Sequence, residues 1–285
     1  HKITKAMYLI SSAKMSRAKA DLDRTRPYFN ALQAEIKRIF RTVEDADSPY
    51  IYPDVLPTHP NGVFACLVIT ADKGLAGSYN LNVIREAEAL LAEHPATRLF
   101  VVGDYGRRYF MQRSIPIETD FRYSAKNPTM EKAREICNLL LSEFNAGAVS
   151  KIIVIYTDVK NGLEIETRNV RLIPFHKDYF RTHENEKTVT VPFEFMPSVS
   201  AVLESIMQSY ISGYIYSALV DSFCSEQQAR MTAMDGANRN AEKLLGELSA
   251  QYNRVRQSAI TMSITEVSAG AKAQKQNSGG KREKQ

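Results

Sequence analysis

The sequence predicts an α/β fold in which the N- and C-terminal helices form a long antiparallel coiled coil around an inserted Rossmann-like α/β domain. Three observations support this prediction. Residues 198–272 contain none of the chain's 11 prolines. Both ends of the chain repeat apolar residues in steps of three and four, which is the spacing of a coiled-coil seam. The middle alternates short apolar runs with helical patterns.

The N-terminal helix is predicted over residues 1–45. Its three-four alternation continues on either side of Arg26-Pro27. Because many seam residues are small, the two helices can approach closely but bury little apolar area per layer. The predicted seam positions are Ala6, Leu9, Ala13, Ser16 and Ala20 before the proline, and Phe29, Leu32, Ile36, Ile39 and Val43 after it.

The C-terminal helix is predicted over residues 198–272. At ~1.5 Å per residue it is expected to be roughly 110 Å long, several times the width of a small domain, so it cannot be buried within this chain. Residues 273–285, which are basic, are predicted to be a disordered tail. The predicted seam of the helix consists of Met231, Met234, Asn238, Ala241, Leu245, Leu248, Tyr252, Val255, Ala259 and Met262.

Residues 46–197 are predicted to hold a linker and the inserted domain. Prolines between Pro49 and Pro60 end the first helix and indicate an irregular linker. Buried parallel strands joined by helices are expected after it, because short β-branched runs alternate with helical patterns. Asn161-Gly162 predicts a hairpin into an antiparallel edge strand over 163–173. The apolar runs cover 63–70, 99–103 and 152–157, and the helical patterns lie near 80–93, 104–113 and 128–146.

The basic residues are concentrated at two places in a chain whose net charge is +5. Residues 1–26 and 271–285 are both strongly basic, and in an antiparallel hairpin they lie at the same tip. A basic tip with a seam of small residues suggests an acidic partner surface.

The cysteines and the hydropathy limit the class of protein. Cys66, Cys137 and Cys224 are far apart and fit no metal-ligand spacing, so reduced thiols in a reducing compartment are expected. No apolar run approaches the length that a membrane-spanning helix needs.

The predicted domain offers no recognisable active site. Its loop at 72–78 follows the first strand, where doubly wound folds bind phosphate. The loop has neither GxGxxG nor GxxxxGK[ST], since Lys73 precedes the glycines. The glycines therefore indicate a tight turn, and nucleotide binding stays open as an alternative. The histidines and strand-end carboxylates such as Asp104 form no catalytic or ligand arrangement, so neither a metal nor a cofactor is expected.

Four segments resemble the gamma-subunit family of F-type ATP synthases, in that family's order. The family combines a long antiparallel coiled coil with a Rossmann-like domain, which agrees with the prediction above. The resemblance implies an N-terminal helix that normally begins well before Lys2. The segments are 2–7 (KITKAM), 70–80 (TADKGLAGSYN), 225–241 (SEQQARMTAMDGANRNA) and 252–261 (YNRVRQSAIT).

The resemblance implies a central-stalk rotor, which couples rotation of a membrane ring to ATP synthesis or hydrolysis at the beta subunits. Proton or sodium flow drives the ring. The implied partners are a hexamer of alpha and beta subunits, the epsilon subunit and the c-ring, with no nucleic acid. The chain itself is expected to be non-catalytic and peripheral to the cytoplasmic face of a bacterial plasma membrane, or to the mitochondrial inner membrane in a eukaryote. The alternatives are a Rossmann-type nucleotide-binding enzyme with a coiled-coil arm, and a coiled-coil adaptor.

The resemblance also implies contact residues. Contacts with the beta subunits are expected at Arg256, Gln257, Thr261, Lys14 and Arg17. Contacts with the ring and the epsilon subunit are expected at Phe193 and Phe195.

Overall fold

The computed structural model describes residues 2–42, 50–51, 62–160, 164–175, 195–196 and 198–279. The helices are α1 (Lys2–Thr42), α2 (Tyr79–Glu93), α3 (Asp104–Gln112), α4 (Met130–Asn145) and α5 (Val199–Gly279). The strands are β1 (Phe64–Ile69), β2 (Arg98–Val102), β3 (Lys151–Lys160) and β4 (Glu164–Ile173). No helix in these ranges has the length and apolar character required to cross a membrane.

The chain divides into two compact units. One contains His1–Lys5 together with Asp235–Gln285, and the other contains Ala6–Met234. In the first unit the hydroxyl of Thr4 donates a hydrogen bond to the side chain of Asn238, so the start of α1 contacts α5 there. The second unit contains the whole sheet.

The sheet has the strand order β2-β1-β3-β4. β1 pairs in parallel with β2 and with β3, whereas β4 is antiparallel to β3. This arrangement confirms the three predicted buried strands and the predicted antiparallel edge strand. The turn at Asn161-Gly162 and the linker prolines lie outside the described residues.

Helices cover both faces of the sheet. Alternate strand residues point to opposite faces, so each strand contributes side chains to two cores. Leu67, Phe100 and Val154 belong to a core shared with α1, α4 and α5. Val68 and Val101 belong to a second core, which is closed by α2 and α3. The continuous apolar runs of β1 and β2 follow directly from this burial on both faces.

In the second unit, the buried stripe of α1 differs from the predicted seam before Pro27. The predicted positions Ala6, Leu9, Ala13, Ser16 and Ala20 are all exposed, so that part of the prediction is wrong. The helix continues through Pro27, as predicted, but the predicted seam positions change phase across the proline, whereas the buried stripe keeps one phase from Ser11 to Ile39. The buried and half-buried stripe consists of Met7, Ser11, Met15, Ala18, Leu22, Thr25, Phe29, Leu32, Ile36 and Ile39.

Within the second unit, α1 and α5 run in opposite directions. The thiol of Cys224 lies 3.9 Å from the carbonyl oxygen of Met15. Farther along α1, the ring of Phe29 packs on Gly213, where an added Cβ would lie 2.8 Å from the ring carbon Cζ and closer to two others. Gly213 therefore lets the two helices approach at this layer.

In the first unit, the apolar side chains of α5 are exposed. Leu245, Tyr252 and Val255 are 65–68% exposed, so no described residue covers this part of the predicted seam. α5 also ends at Gly279, past the predicted end at Lys272. Its last turns contain Ala, Lys and Gln, which favour helix, so the helix includes the first residues of the predicted disordered tail.

Candidate functional site

A buried carboxylate holds together the segments at the carboxyl end of the sheet. Asp72 follows β1, and its side chain is 5% exposed. Its carboxylate accepts hydrogen bonds from the Ser124 hydroxyl at 2.7 Å and from the backbone N–H groups of Ala125 and Asp104, each at 3.2 Å. Charge-assisted bonds of this kind are the strong ones. Asp72 therefore fixes the loop 70–78 against both α3 and the 124–126 segment.

The first turn of α2 closes the same loop. The side-chain oxygen of Asn80 accepts a hydrogen bond from the Ala71 N–H at 2.9 Å, and its amide nitrogen donates to the Lys73 carbonyl at 3.4 Å. Because Asn80 bonds both sides of the turn, the loop is held from within the domain. This role accounts for the polar side chain of Asn80 by contacts within the chain.

Two charged residues of α5 reach the loop from the helix side. Arg230 donates to the carbonyl oxygen of Gly74 at 3.2 Å and pairs with Glu226 at 2.6 Å. Both side chains are nearly buried, at 12% and 9% exposed. Burial raises the pKa of Glu226, and the guanidinium of Arg230 partly offsets this effect. The pair thus joins α5 to the loop in a site largely shielded from water.

A cavity of about 270 Å³ lies beside this pair. Three of its lining side chains are lysines: Lys14 from α1, Lys73 from the loop and Lys126 from the following segment. Apolar side chains line it as well, including Ile10 and Phe223. The cavity lining therefore combines three lysines with apolar side chains and with the carboxylates of Asp72 and Glu226, and the lysines suit an acidic segment of a partner protein.

The structure places the predicted beta-contact residues of α1 close to this cavity. Lys14 and Arg17 are exposed, and both line a second cavity of about 370 Å³ beside Asn127 and Thr129. The structure therefore brings Lys14 and Arg17 together with the segment 127–129. This segment was not predicted to lie beside them.

The predicted residues of α5 lie in the first unit. Arg256, Gln257 and Thr261 are all exposed. The Thr261 hydroxyl donates to the Gln257 carbonyl at 2.9 Å, within the same helix. The side chains of Arg256 and Gln257 lie at the surface.

Phe193 and Phe195 are the residues predicted to contact the ring and the epsilon subunit. Phe193 lies outside the described residues. Phe195 is half-buried and packs against the core that α5 shares with the sheet. Phe195 therefore packs within this chain, and its contact with the membrane ring stays a prediction.

Two features of the site were not predicted from the sequence. The Glu226 and Arg230 pair is four residues apart in an otherwise buried part of a helix, and that spacing is the signal that could have indicated it. Leu75 has φ +63° and is 67% exposed. A leucine there gains no burial and costs ~1–2 kcal/mol in backbone energy. Because such strain is concentrated at functional surfaces, Leu75 is a candidate contact residue.

The two glycines of the loop have different backbone requirements. The glycines of a tight turn are expected to need positive φ, where a β-branched residue such as valine is strained. Gly77 has φ +55°, whereas Gly74 is not in that region, and an added Cβ at Gly74 meets only Tyr105 at 3.7 Å. The expectation is therefore wrong for Gly74, because of these two glycines only Gly77 lies in the left-handed region.

We expect Gly77→Ala to lower the free energy of unfolding by about 1–2 kcal/mol, because alanine is strained at positive φ. Gly74→Ala is the matched control and is expected to be nearly neutral. Urea unfolding of the isolated chain at neutral pH measures both. Equal losses for the two variants would show that the positive φ of Gly77 does not decide the effect.

Asp221 of α5 is a half-buried residue at the contact of α5 with the β3–β4 hairpin. Burial and then the charge of Asp158 raise its pKa to about 6, while Ser217, Arg26 and Arg168 act in the opposite direction. Ser217 lies 3.2 Å from its carboxylate, and Arg168 pairs with Asp158 at 3.1 Å. Because the folded chain binds this proton more tightly than the unfolded chain, the ionised carboxylate destabilises the fold above pH 6.

We expect Asp221→Asn to raise the free energy of unfolding at pH 7.5 by about 1–2 kcal/mol, because it removes the half-buried charge. The difference from the native chain is expected to shrink as the pH falls from above 6 toward 4, as Asp221 takes up its proton. Denaturant unfolding at several pH values measures it. Asp120→Asn, at an exposed aspartate, is the control, and a gain that does not vary with pH would contradict the interpretation.

The sequence matches one known protein family along almost its whole length. The profile of the family described as ATP synthase matches residues 1–274. The ATP synthase gamma chain of Caldanaerobacter subterraneus subsp. tengcongensis is 40% identical over 278 residues, which are 95% of this chain and 94% of that protein. The ATP synthase gamma chain of Ruminiclostridium cellulolyticum is 36% identical over 274 residues, or 95% and 92% of the two chains.

Solved structures share the fold at lower sequence identity. A chain in the central stalk and c-ring structure of the Tetrahymena thermophila mitochondrial ATP synthase has a TM-score of 0.59 and 21% identity, with 83% of this chain and 99% of that chain covered. A chain of the Euglena gracilis mitochondrial ATP synthase has a TM-score of 0.56 and 14% identity, with 94% and 95% covered. Both support the mixed α/β architecture with a long C-terminal helix.

Proposed function

Because the chain belongs to the ATP synthase gamma chain family, we propose that it is the central-stalk rotor subunit of an F-type ATP synthase. It couples rotation of a membrane-embedded ring to ATP synthesis or hydrolysis at the beta subunits. It is a non-catalytic subunit, since the catalytic sites of the complex lie on the beta subunits. The observation that carries this proposal is a 40% identity that extends over 94% of a gamma chain.

The proposed partners are the hexamer of alpha and beta subunits, the epsilon subunit and the c-ring. Exposed apolar residues on α5, such as Leu245 and Val255, support an enclosing partner, because a large apolar surface of this kind marks an interaction site. The rotor makes different contacts in different rotary states, and these contacts drive each beta subunit through its cycle.

The proposed division of the chain follows this function. Residues 1–45 and 198–272 form an antiparallel coiled-coil shaft, and 46–197 form a Rossmann-like foot. Opposite helix directions at Met15 and Cys224 and helices on both sheet faces support this division. Residues 273–285 form a basic extension.

The proposed contacts differ along the shaft. Arg256, Gln257 and Thr261 contact a beta subunit, as do Lys14 and Arg17, and their exposure supports these roles. Exposed ion pairs of Lys14 and Arg17 with an acidic partner are expected to be worth about 0–1 kcal/mol each, which allows them to be exchanged at every rotary step. Phe193 and Phe195 contact the ring and the epsilon subunit.

The proposed location is the cytoplasmic face of a bacterial plasma membrane, where the chain is peripheral. The bacterial origin of the curated relatives supports this location.

The experiment is purification of a tagged chain from detergent-solubilised membranes of its source organism. We expect alpha, beta, epsilon and ring subunits to be recovered with it in fixed stoichiometry. An untagged strain is the control. Recovery of the tagged chain without alpha and beta subunits would contradict the proposal.

A further inference from the structure

Strand β3 extends past its parallel neighbour. Its last pair with β1 joins Ile155 to Val68, yet β3 continues to Lys160 and pairs with β4 along that whole extension. Beyond Ile155, a backbone group of β3 that faces away from β4 therefore meets no strand among the described residues. Thr157 is such a residue, and it is only 1% exposed, so its N–H and carbonyl need partners from elsewhere.

Helix α5 supplies these partners through two hydroxyls. The Thr157 N–H donates to the hydroxyl of Ser222 at 3.3 Å, and the hydroxyl of Ser225 donates to the Thr157 carbonyl at 3.1 Å. The serines are three residues apart, so they lie on the same face of the helix. Both are at most 1% exposed. The two hydroxyls thus take the place of the missing strand.

A third element joins this contact. Tyr79 of α2 is within hydrogen-bond reach of Ser222, and burial followed by the charge of Glu226 raises the pKa of Tyr79 well above its ordinary value. Tyr79 therefore remains a neutral hydroxyl at physiological pH and can join the hydrogen-bonded group. The Tyr79 hydroxyl donates to the carbonyl oxygen of Ile69 at the end of β1, at 3.5 Å, so Tyr79 lies between Ser222 of α5 and the sheet.

The apolar contacts of α5 beside these bonds fix its rotation about its own axis less sharply than directional bonds do. Ala218, Leu219 and Phe223 are buried in the core shared with the sheet, and apolar burial is non-directional. It holds a helix against a sheet but tolerates small rotations and shifts. Hydrogen bonds weaken steeply when their angle changes. Paired bonds from one helix face to one strand residue therefore define both the angle and the axial position of α5.

We propose that Ser222 and Ser225 are positioning residues that transmit torque between helix α5 and the sheet, by locking the helix to the backbone of Thr157. The proposal rests on the rotor function proposed above. Because the contact is buried, water does not replace either bond when the helix is twisted, and breaking one leaves an unsatisfied backbone group. The contact resists twisting in both directions, as a shaft that serves synthesis and hydrolysis requires.

The test uses the assembled complex of this chain with its alpha and beta subunits, immobilised through the hexamer. A probe is attached to the exposed face of α2 through Glu86→Cys, and its angular fluctuation is recorded while the motor pauses. We expect Ser222→Ala with Ser225→Ala to raise the angular variance by about twofold or more, because two directional bonds are lost while apolar packing remains. Assembly and the ATP hydrolysis rate at negligible load are expected to stay close to those of the native complex.

The matched control is Ser212→Ala. Ser212 is a buried serine of the same helix, but its hydroxyl donates to the Gln208 carbonyl of that helix at 2.9 Å and not to the sheet. We expect its angular variance to equal that of the native complex. A general loss of stability would affect both variants, whereas a lost torsional lock affects only the first.

The outcomes separate the two proposals. An angular variance of the double variant equal to that of Ser212→Ala would overturn the role of the serines. If the double variant does not fold, the single variants Ser222→Ala and Ser225→Ala carry the same test, and native variance in both would overturn it equally. Failure of the native chain to assemble with alpha and beta subunits would instead count against the rotor function.

Discussion

Replacing Gly103 by alanine is expected to prevent stable folding of the domain, with a loss of at least about 4 kcal/mol in the free energy of unfolding. Gly103 has φ +91°, and an added Cβ would lie 2.7 Å from the carbonyl oxygen of Ala71 and closer still to that of Thr70. Both neighbours are backbone and cannot rotate away. The loss would be a large part of the 5–15 kcal/mol that stabilises a typical domain.

Gly147→Ala is the control for this variant. Gly147 also has positive φ, at +72°, but an added Cβ meets nothing within 4 Å. We expect it to lose only about 1–2 kcal/mol, which is the cost of the backbone conformation alone. Soluble yield and urea unfolding of the isolated chain measure both variants. Similar losses would show that the contact with the end of β1 is not the decisive effect.

Removing the polar side chains of Arg256 and Gln257 is expected to lower ATP synthesis and hydrolysis together, by at least about tenfold. Charge-assisted hydrogen bonds are worth ~1.5–3 kcal/mol each, and 1.4 kcal/mol corresponds to a factor of ten in rate. Both residues are exposed on a helix surface, so alanine removes partner contacts without unfolding the shaft. Turnover of the purified complex, with subunit composition checked in parallel, measures the effect.

Arg239→Ala is the control for the double variant. The guanidinium of Arg239 already pairs with Asp235 at 2.7 Å, one helical turn away. Its loss is therefore expected to change turnover much less. Native turnover in an assembled Arg256→Ala, Gln257→Ala complex would show that these side chains do not carry the coupling.

The strands could be predicted from the sequence because they are buried on both faces. β1 reads as a continuous apolar run, and all its residues from Phe64 to Ile69 are buried. Such a run between turn residues has few alternatives. The hairpin was predicted by Asn161-Gly162, because that dipeptide matches the twist of the flanking strands.

The position of the buried stripe of α1 before Pro27 could not be predicted from the sequence. Before the proline, the small residues of α1 fit a stripe in more than one phase. Only packing against α5 selects the stripe through Ser11 and Ala18, which are both buried. Residue size alone carries too little information where alanine and serine occupy both the inside and the outside of a helix.

The bonds at the end of the sheet were beyond prediction for a different reason. Arg230 bonds Gly74, and Ser222 bonds Thr157, although each pair is far apart in sequence. Polar residues in a helix usually face water, and the sequence does not say which ones meet a backbone group after folding. The roles of Arg230 and Ser222 become clear only when the folded structure shows which backbone groups lie at the end of the sheet.

The exposed face of α5 also has a consequence for how much of this chain a cell can tolerate. Leu244, Tyr252 and Ile264 are each at least 58% exposed, and apolar surface of this kind promotes self-association and attracts chaperones and proteases. Any copy made in excess of its assembly partners presents that surface to its neighbours. The amount of soluble chain is therefore set by the supply of its partners more than by its own synthesis.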